Sequence, residues 1–220
     1  MFPGLNADAE MLRTLRTVCG VETIVVQYTE TELPAGVDLV TIPGGFSYGD
    51  YLRCGALAKA SPILAAVKKH ADRGGFVLGV CNGFQILCEV GLLPGALTPN
   101  VHQRFECGDW YVKTTATTPF TRNLGDVWRL PIAHGEGRYQ ASPRELERLE
   151  KEGLVALRYC NAQGDFAPEG NPNGSMFDIA GIVGGPRKNV LGLMPHPERM
   201  SEALQGGDDG KWLFLAVTAA

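Results

Sequence analysis

The stretch FVLGVCNGFQIL, Phe76 to Leu87, sets a short apolar run directly against a helix-like pattern. A cysteine stands at the join, with a glycine two places before it and another two places after it. No other feature constrains the fold as much. A buried strand that turns into a helix at a single residue crowds the backbone around that residue, so only very small side chains fit two positions to either side. The turning residue, Cys81, is then held in strained backbone with its side chain aimed into a cleft. Such a turn belongs at the carboxyl end of a parallel strand, where open α/β sheets place their sites.

The neighbouring sequence agrees. Asp8 to Cys19 carries Met11, Leu12, Leu15 and Val18 at helical spacing. Glu22 to Tyr28, ETIVVQY, is β-branched and predicts a strand, and Val37 to Gly45 is an apolar run ending in Pro-Gly-Gly. Ser61 to Gly74 predicts a helix with a Ser N-cap, a Pro next to it and a glycine stop. Apolar strands alternating with helices imply an α/β fold with a mostly parallel central sheet flanked by helices. The second half changes character. Thr98 to Arg129 and Leu154 to Ile182 hold short runs rich in Thr, Val and aromatics, with turn signals such as NPNGS. These predict antiparallel strands added to the sheet or folded as a flap. Asn189 to Arg199 predicts a last strand running into a Pro-rich loop, and GKWLFLAVTAA a closing helix. With no repeats and no linker, residues 1–220 form a single domain.

The net charge of −4 excludes nucleic acid or an anionic membrane as the main partner, since both call for a basic footprint. No apolar run approaches the roughly 20 residues that cross a bilayer, and MFPGLNADAE does not read as a signal peptide. The six cysteines include no C-x-x-C pair and no zinc-like spacing, so the expectation is a cytoplasmic chain with free, mostly buried thiols and no metal.

G-V-C-N-G has the form of a nucleophile elbow with cysteine in the serine's place. By itself it also fits a buried cysteine in a tight turn. A helix that starts there directs its N-terminal amides and positive dipole end at the sulfur, which suits a thiolate nucleophile. The Asn82 amide would face an oxyanion on the attacked carbon. A base decides the matter. His70 falls among lysines late in a helix and reads as surface; His102 falls in a polar loop; His134, in PIAHGEGR, can face a site. His196, in MPHPER, follows the last apolar strand. Pro197 excludes helical backbone at His196, and in extended chain residues i and i+2 project to one side, which brings Glu198 to the imidazole. Cys81, His196 and Glu198 then act as nucleophile, base and orienting carboxylate. The loop IPGGFSYGD follows another buried strand. Its Gly45 amide, with Phe46 as a possible second donor, is expected to complete the oxyanion hole beside Asn82.

Together VTIPGGFSYGDYLRCGALA, VLGVCNGFQILCEVGLLPGAL, PIAHGEGRY, NPNGSMFDIAGI and VLGLMPHPER resemble the glutaminase subunits of phosphoribosylformylglycinamidine synthase. These are class I, triad-type glutamine amidotransferases of purine biosynthesis. The resemblance runs from about Phe2 to the C-terminus and implies a flavodoxin-like three-layer sandwich. It implies hydrolysis of the glutamine side-chain amide through a Cys81 thioester. The ammonia passes to a large synthetase subunit, which uses ATP and magnesium to make formylglycinamidine ribonucleotide from formylglycinamide ribonucleotide. A small third subunit bridges the two. No cofactor is implied in this chain. Gln85, one helical turn after Cys81, matches a glutamine-contacting position, and His134 and Gly135 lie in a segment near the glutamine pocket. Phe46 is placed at the substrate, and Arg104 is a candidate for its carboxylate.

The chain departs from the family pattern in two places. It opens at MFPG, a loop, where several apolar residues usually precede FPG; their absence would leave a strand edge exposed, and it suggests a mis-assigned start or a trimmed N-terminus. GLNAD stands where a more polar stretch is usual. Two rival readings are a DJ-1-like cysteine hydrolase, which would not need P-H-P-E after its last strand, and a non-catalytic binding subunit on the same fold.

Overall fold

The computed structural model describes residues 1–46, 55–122 and 124–218. Residues 47–54, which hold Cys54 and most of the GGFSYGDYLRCGA segment, lie outside the described part.

The apolar run Phe76–Val80 forms a strand (β2) and Asn82–Glu89 the helix that follows it (α3), with Cys81 between them. Strand β2 pairs in parallel with Leu39–Ile42 (β1) on one side and Val190–Leu193 (β9) on the other. Gly79 and Gly192 are register partners on β2 and β9. A Cβ on Gly79 would lie 2.6 Å from the Gly83 carbonyl carbon, and one on Gly192 2.1 Å from Phe84 Cδ2. The two bare positions let α3 settle directly onto the sheet. This close approach fixes where the elbow points.

The sheet continues beyond β9 through Ile179–Gly184 (β8), Val155–Cys160 (β7), Glu106–Thr114 (β4) and Val127–His134 (β5), all antiparallel to their neighbours, in the order β1-β2-β9-β8-β7-β4-β5. The predicted antiparallel strands are therefore added to the main sheet. They make its balance more mixed than the sequence suggests, with three parallel strands at one end. Five residues join β8 to β9, and a connection that short permits only a hairpin, since a parallel crossover needs a dozen or more. Ala96–Thr98 (β3) and Arg138–Gln140 (β6) form a separate antiparallel pair, tied down by Tyr139, which stacks on Phe84 at 6.0 Å.

Three of the remaining helices fall where the sequence predicts them, and a fourth, Pro143–Lys151, was not anticipated. Asp8–Arg13 (α1) continues into one π-helical turn, Thr14–Val18. Ile63–Asp72 (α2) packs on β2. Pro143–Lys151 (α4) starts at a Ser142 cap that accepts from the Glu145 amide, and Lys211–Thr218 (α5) closes the chain. No helix among the described residues is long and apolar enough to cross a membrane.

Several local expectations fail. Glu22–Tyr28 joins no sheet ladder among the described residues, and Ile24 and Val25 stay exposed. A β-branched run favours strand only where a neighbour offers free backbone groups, and among the described residues its ladder-like partner is Met1, whose carbonyl accepts from the Tyr28 amide at 2.9 Å. Ser61 does not cap α2 through its side chain; Pro62 is the cap residue, and Ser61 contributes its carbonyl to the Leu64 amide. His70 is buried, with Nε2 3.2 Å from the Phe76 carbonyl and its ring under Gly75, so it locks the α2–β2 turn. Among the described cysteines, all free, Cys81 and Cys160 are buried, Cys19 and Cys88 half-buried and Cys107 exposed.

Candidate active site

Cys81 sits at φ 52°, ψ −108°, a backbone conformation rare for an L-residue. Its amide donates to the Leu193 carbonyl at 2.8 Å, so β9 holds the elbow on one side. The glycines do what the sequence predicts: a Cβ on Gly83 would lie 2.0 Å from the Ile42 carbonyl oxygen.

Shortly after β9 comes His196, with φ −103° and ψ 86°, outside the helical region as Pro197 requires. Its Nδ1 lies 2.5 Å from Glu198 Oε1, and both side chains are almost wholly buried. The pair forms by a different route from the predicted extended alternation. Pro197–Arg199 is a single 3-10 turn, which folds Glu198 back under the ring. Thr14 Oγ1 and Gln205 Nε2 both donate to the Glu198 carbonyl, at 3.2 and 3.1 Å, and hold the turn closed.

With Nδ1 taken by Glu198, Nε2 remains for Cys81, which hydrogen-bonds the imidazole. Burial alone pulls the His196 pKa down. The Glu198 charge, the Cys81 hydrogen bond and charge, and the Glu198 hydrogen bond outweigh it and raise the pKa to about 10. These partners favour the protonated imidazolium over the neutral ring. Gly44 shows how close His196 and Cys81 are: a Cβ there would lie 2.7 Å from His196 Cε1 and 2.9 Å from Cys81 Cβ. Strand β5, at the far edge of the sheet, curls round to meet them. The Pro131 carbonyl accepts from the His196 amide at 2.8 Å, and the Ala133 carbonyl lies 3.8 Å from Cys81 Sγ. Proline fits this edge strand because its missing N–H faces no partner strand.

The oxyanion loop is pinned by the chain's first residues. The Ala7 amide donates to the Gly44 carbonyl at 3.1 Å, and the Phe46 amide to the Gly4 carbonyl at 2.8 Å. Phe46 is thereby removed as a second oxyanion donor, because its N–H is already spent on the N-terminal arm. Gly45, at φ 147°, is a position only glycine fills, with Asn6 and Leu5 backbone packed against it. Asn82 stands at the first turn of α3, and its side chain donates to Gln85 Oε1 at 2.7 Å. Gln85 Nε2 in turn donates to the Glu136 carbonyl at 2.7 Å, so Gln85 links the elbow helix to the loop that follows β5.

The loop after β1 carries an exposed aromatic contact. Phe46 stacks on Phe105 with centroids 6.4 Å apart, and Gly135 packs beneath Phe105, its missing Cβ leaving 3.9 Å to that ring. Arg104 is exposed beside Phe105. His134 belongs elsewhere. Its ring is buried under Gly137 with Nδ1 unpartnered, and burial followed by the His196 charge lowers its pKa to about 4. It is a neutral supporting side chain, not an open contact residue. The sequence reading missed Gly44, Asn100 and Asn173. Gly44 was visible only as half of a Gly-Gly turn, and NPNGS only as a turn signal.

Comparison with known proteins agrees with this geometry. Residues 1–212 match the family described as the CobB/CobQ-like glutamine amidotransferase domain. The chain is 54% identical over 220 residues to the phosphoribosylformylglycinamidine synthase subunit PurQ of Bradyrhizobium diazoefficiens, covering 99% of this chain and 94% of that one. The PurQ of Brucella suis is 52% identical over 225 residues, covering 100% and 97%. Among solved structures, PurLQS from Thermotoga maritima matches with a TM-score of 0.86 at 39% identity, covering 100% of this chain and 95% of that one. The glutaminase domain of Trypanosoma brucei CTPS shares the fold alone, with a TM-score of 0.57 at 14% identity over 97% of this chain and 87% of that one. With the whole chain aligned to these relatives and a thiol, an imidazole and a carboxylate assembled at the elbow, the chain belongs to the glutamine amidotransferase domain family of the CobB/CobQ-like type.

Proposed function

We propose that the chain is the glutamine-hydrolysing subunit of phosphoribosylformylglycinamidine synthase and serves purine biosynthesis. One observation carries the reading: the buried Cys81–His196–Glu198 arrangement at a strained elbow, in a chain 54% identical to a PurQ subunit over nearly its full length. Neither rival reading is favoured, since family membership and a filled triad argue against both.

The chemistry follows from the geometry. Cys81 thiolate attacks the side-chain amide carbon of L-glutamine, and the carbonyl π electrons move onto oxygen. The oxyanion is placed against the amides of Gly45 and Asn82. His196 imidazolium delivers its proton to the amide nitrogen, the C–N bond breaks, and ammonia leaves a glutamyl thioester. Neutral His196 then takes a proton from water as its oxygen attacks the thioester carbon. The C–S bond breaks, glutamate departs, and the thiolate–imidazolium pair is restored. Glu198 holds the imidazole with Nε2 toward the sulfur throughout. Arg104 is the candidate for the substrate carboxylate, with Gln85, Phe46 and Gly135 as the other candidate substrate contacts. The ammonia serves a large synthetase subunit, bridged by a small third subunit, in the cytoplasm. ATP and magnesium act in that partner, and this chain needs no cofactor of its own.

The test is trapping with a diazo-ketone analogue of glutamine, read by intact mass and peptide mapping, with and without the synthetase subunit. The expected result is a single adduct on Cys81, lost in Cys81→Ala and formed faster with the partner. No adduct at Cys81 in either condition, while exposed Cys107 still reacts with a general alkylator, would refute a catalytic role.

A further inference from the structure

Four consecutive residues, His134 to Gly137, form the turn that meets Gln85 of the elbow helix, and two buried asparagines hold it. Asn100 comes from the loop after β3 and is 1% exposed; Asn173 comes from the loop before β8 and is wholly buried. Every polar atom of the Asn100 side chain is used. Its Oδ1 accepts from the Gly137 amide at 3.0 Å, and its Nδ2 donates to the His134 carbonyl at 2.9 Å and the Arg104 carbonyl at 2.8 Å. The Asn100 amide also donates to the Gly135 carbonyl at 2.9 Å. Asn173 Nδ2 donates to the Gly137 carbonyl at 3.0 Å, while its Oδ1 accepts from the Ser175 amide and hydroxyl at 2.9 and 2.8 Å.

Asn100 thus adds a side-chain brace between two parts of the site that the backbone also connects, through the Asn100 amide and through the Glu106–His134 register pair. One is the His134–Gly137 turn, whose Glu136 carbonyl takes the Gln85 amide and which continues the strand that presents Ala133 to Cys81. The other is the Val101–Phe105 loop, which carries Arg104 and the Phe105 ring that stacks on Phe46. Within this loop the Gln103 amide donates to the Asn100 carbonyl at 2.8 Å, and His102 Nε2 lies 3.1 Å from the Pro172 carbonyl. The Asn100 side chain reaches the loop through the Arg104 carbonyl, and the Val101 amide reaches it through the Asn173 carbonyl at 3.0 Å. Buried carboxamides with all their hydrogen bonds met are costly to replace and fix a single geometry.

We propose that Asn100 is a positioning residue for the amino-acid end of glutamine. It sets the distance between the loop bearing Arg104 and Phe105 and the elbow bearing Cys81, with Asn173 bracing the same turn from the other side. The proposal rests on the glutaminase reading above. Its consequence is selective. Loss of the Asn100 side chain loosens the grip on the α-amino and α-carboxylate groups but leaves the elbow, the imidazole and the thiol in place.

Two electrophiles separate this role from a merely structural one. A diazo-ketone glutamine analogue needs the whole cleft, whereas iodoacetamide needs only a reactive thiol. Both are reacted with the wild-type chain and with Asn100→Ala, the synthetase subunit present, and labelling is read at the Cys81 peptide. Asn100→Ala is expected to lower the analogue's labelling rate about tenfold or more, the scale of one or two lost positioning hydrogen bonds. The iodoacetamide rate at Cys81 should stay within about twofold, because the Asn100 side chain bonds neither Cys81 nor His196. In steady state the same variant raises the KM for glutamine more than it lowers kcat. Equal slowing by both reagents, or no slowing by either, would overturn the positioning role while leaving the glutaminase intact. If the analogue fails on the wild-type chain, the glutaminase reading falls and the proposal with it. Should Asn100→Ala not fold, Asn173→Ala replaces it in the same comparison, with the same selective loss expected and equal slowing by both reagents again overturning the proposal.

Discussion

The backbone at Cys81 offers a direct measurement of stored strain. At φ 52° and ψ −108° a side chain costs about 1–3 kcal/mol, which glycine escapes. Comparing Cys81→Ala with Cys81→Gly isolates that cost, because both lack the sulfur. The Ala-to-Gly step normally destabilises a buried position. It frees the unfolded chain by about 0.5–1 kcal/mol and gives up one buried methyl worth about 0.8 kcal/mol. At an ordinary strand position such as Ala180, fully buried in β8, the step should therefore cost about 1.5 kcal/mol. At position 81 strain relief offsets it, and the net effect should lie between a loss of about 0.5 and a gain of about 1.5 kcal/mol. Urea denaturation of the three variants and the wild type, with shared m-values, gives the difference between sites. An Ala-to-Gly step that costs the same at 81 as at 180 would refute the claim that the elbow is strained.

Two further outcomes follow from the site. Gly44→Ala keeps an ordinary backbone but drives a methyl into His196 Cε1 and Cys81 Cβ, at 2.7 and 2.9 Å. It should lower kcat for glutamine hydrolysis about 100-fold through a displacement of under an ångström, with far-UV circular dichroism unchanged; near-normal turnover would contradict the packing described. His134 titrates near 4 in the folded chain against 6.5 unfolded. A depressed histidine contributes stability above pH 6.5 that is lost as pH falls toward 4, here about 3 kcal/mol at most. Stability measured at pH 7 and pH 4.5 should therefore fall less in His134→Leu than in the wild type, and an equal fall would remove His134 as a source of acid sensitivity.

The parts of the site legible in the sequence were those whose chemistry is local. Two glycines around Cys81 announce the elbow, and Pro197 announces the non-helical His196, because each acts within two or three residues. What escaped depends on distant partners. His70 looked exposed among lysines, yet the Phe76 carbonyl and Gly75 give its ring a buried seat. Phe46 looked like an amide donor, but Gly4 had taken its hydrogen. Glu22–Tyr28 had strand composition and no ladder to join. Asn100 and Asn173 read as turn residues, since nothing local distinguishes an asparagine that turns its own loop from one that braces another. The Glu198 contact was anticipated, though the 3-10 turn that makes it was not.

The curl that carries β5 back to the elbow also sets when the site can come into being. Cys81, the Pro131 and Ala133 carbonyls, and His196 with Glu198 are drawn from widely separated stretches of chain. Contacts of such high sequence separation must overcome loop closure before they return any stability, so they form late. A nascent chain with its first 130 residues exposed has its nucleophile but neither the base nor the carboxylate that serves it. Arming of the thiol is in this sense a timer on synthesis: the reaction centre switches on only once nearly the whole chain has been made and folded.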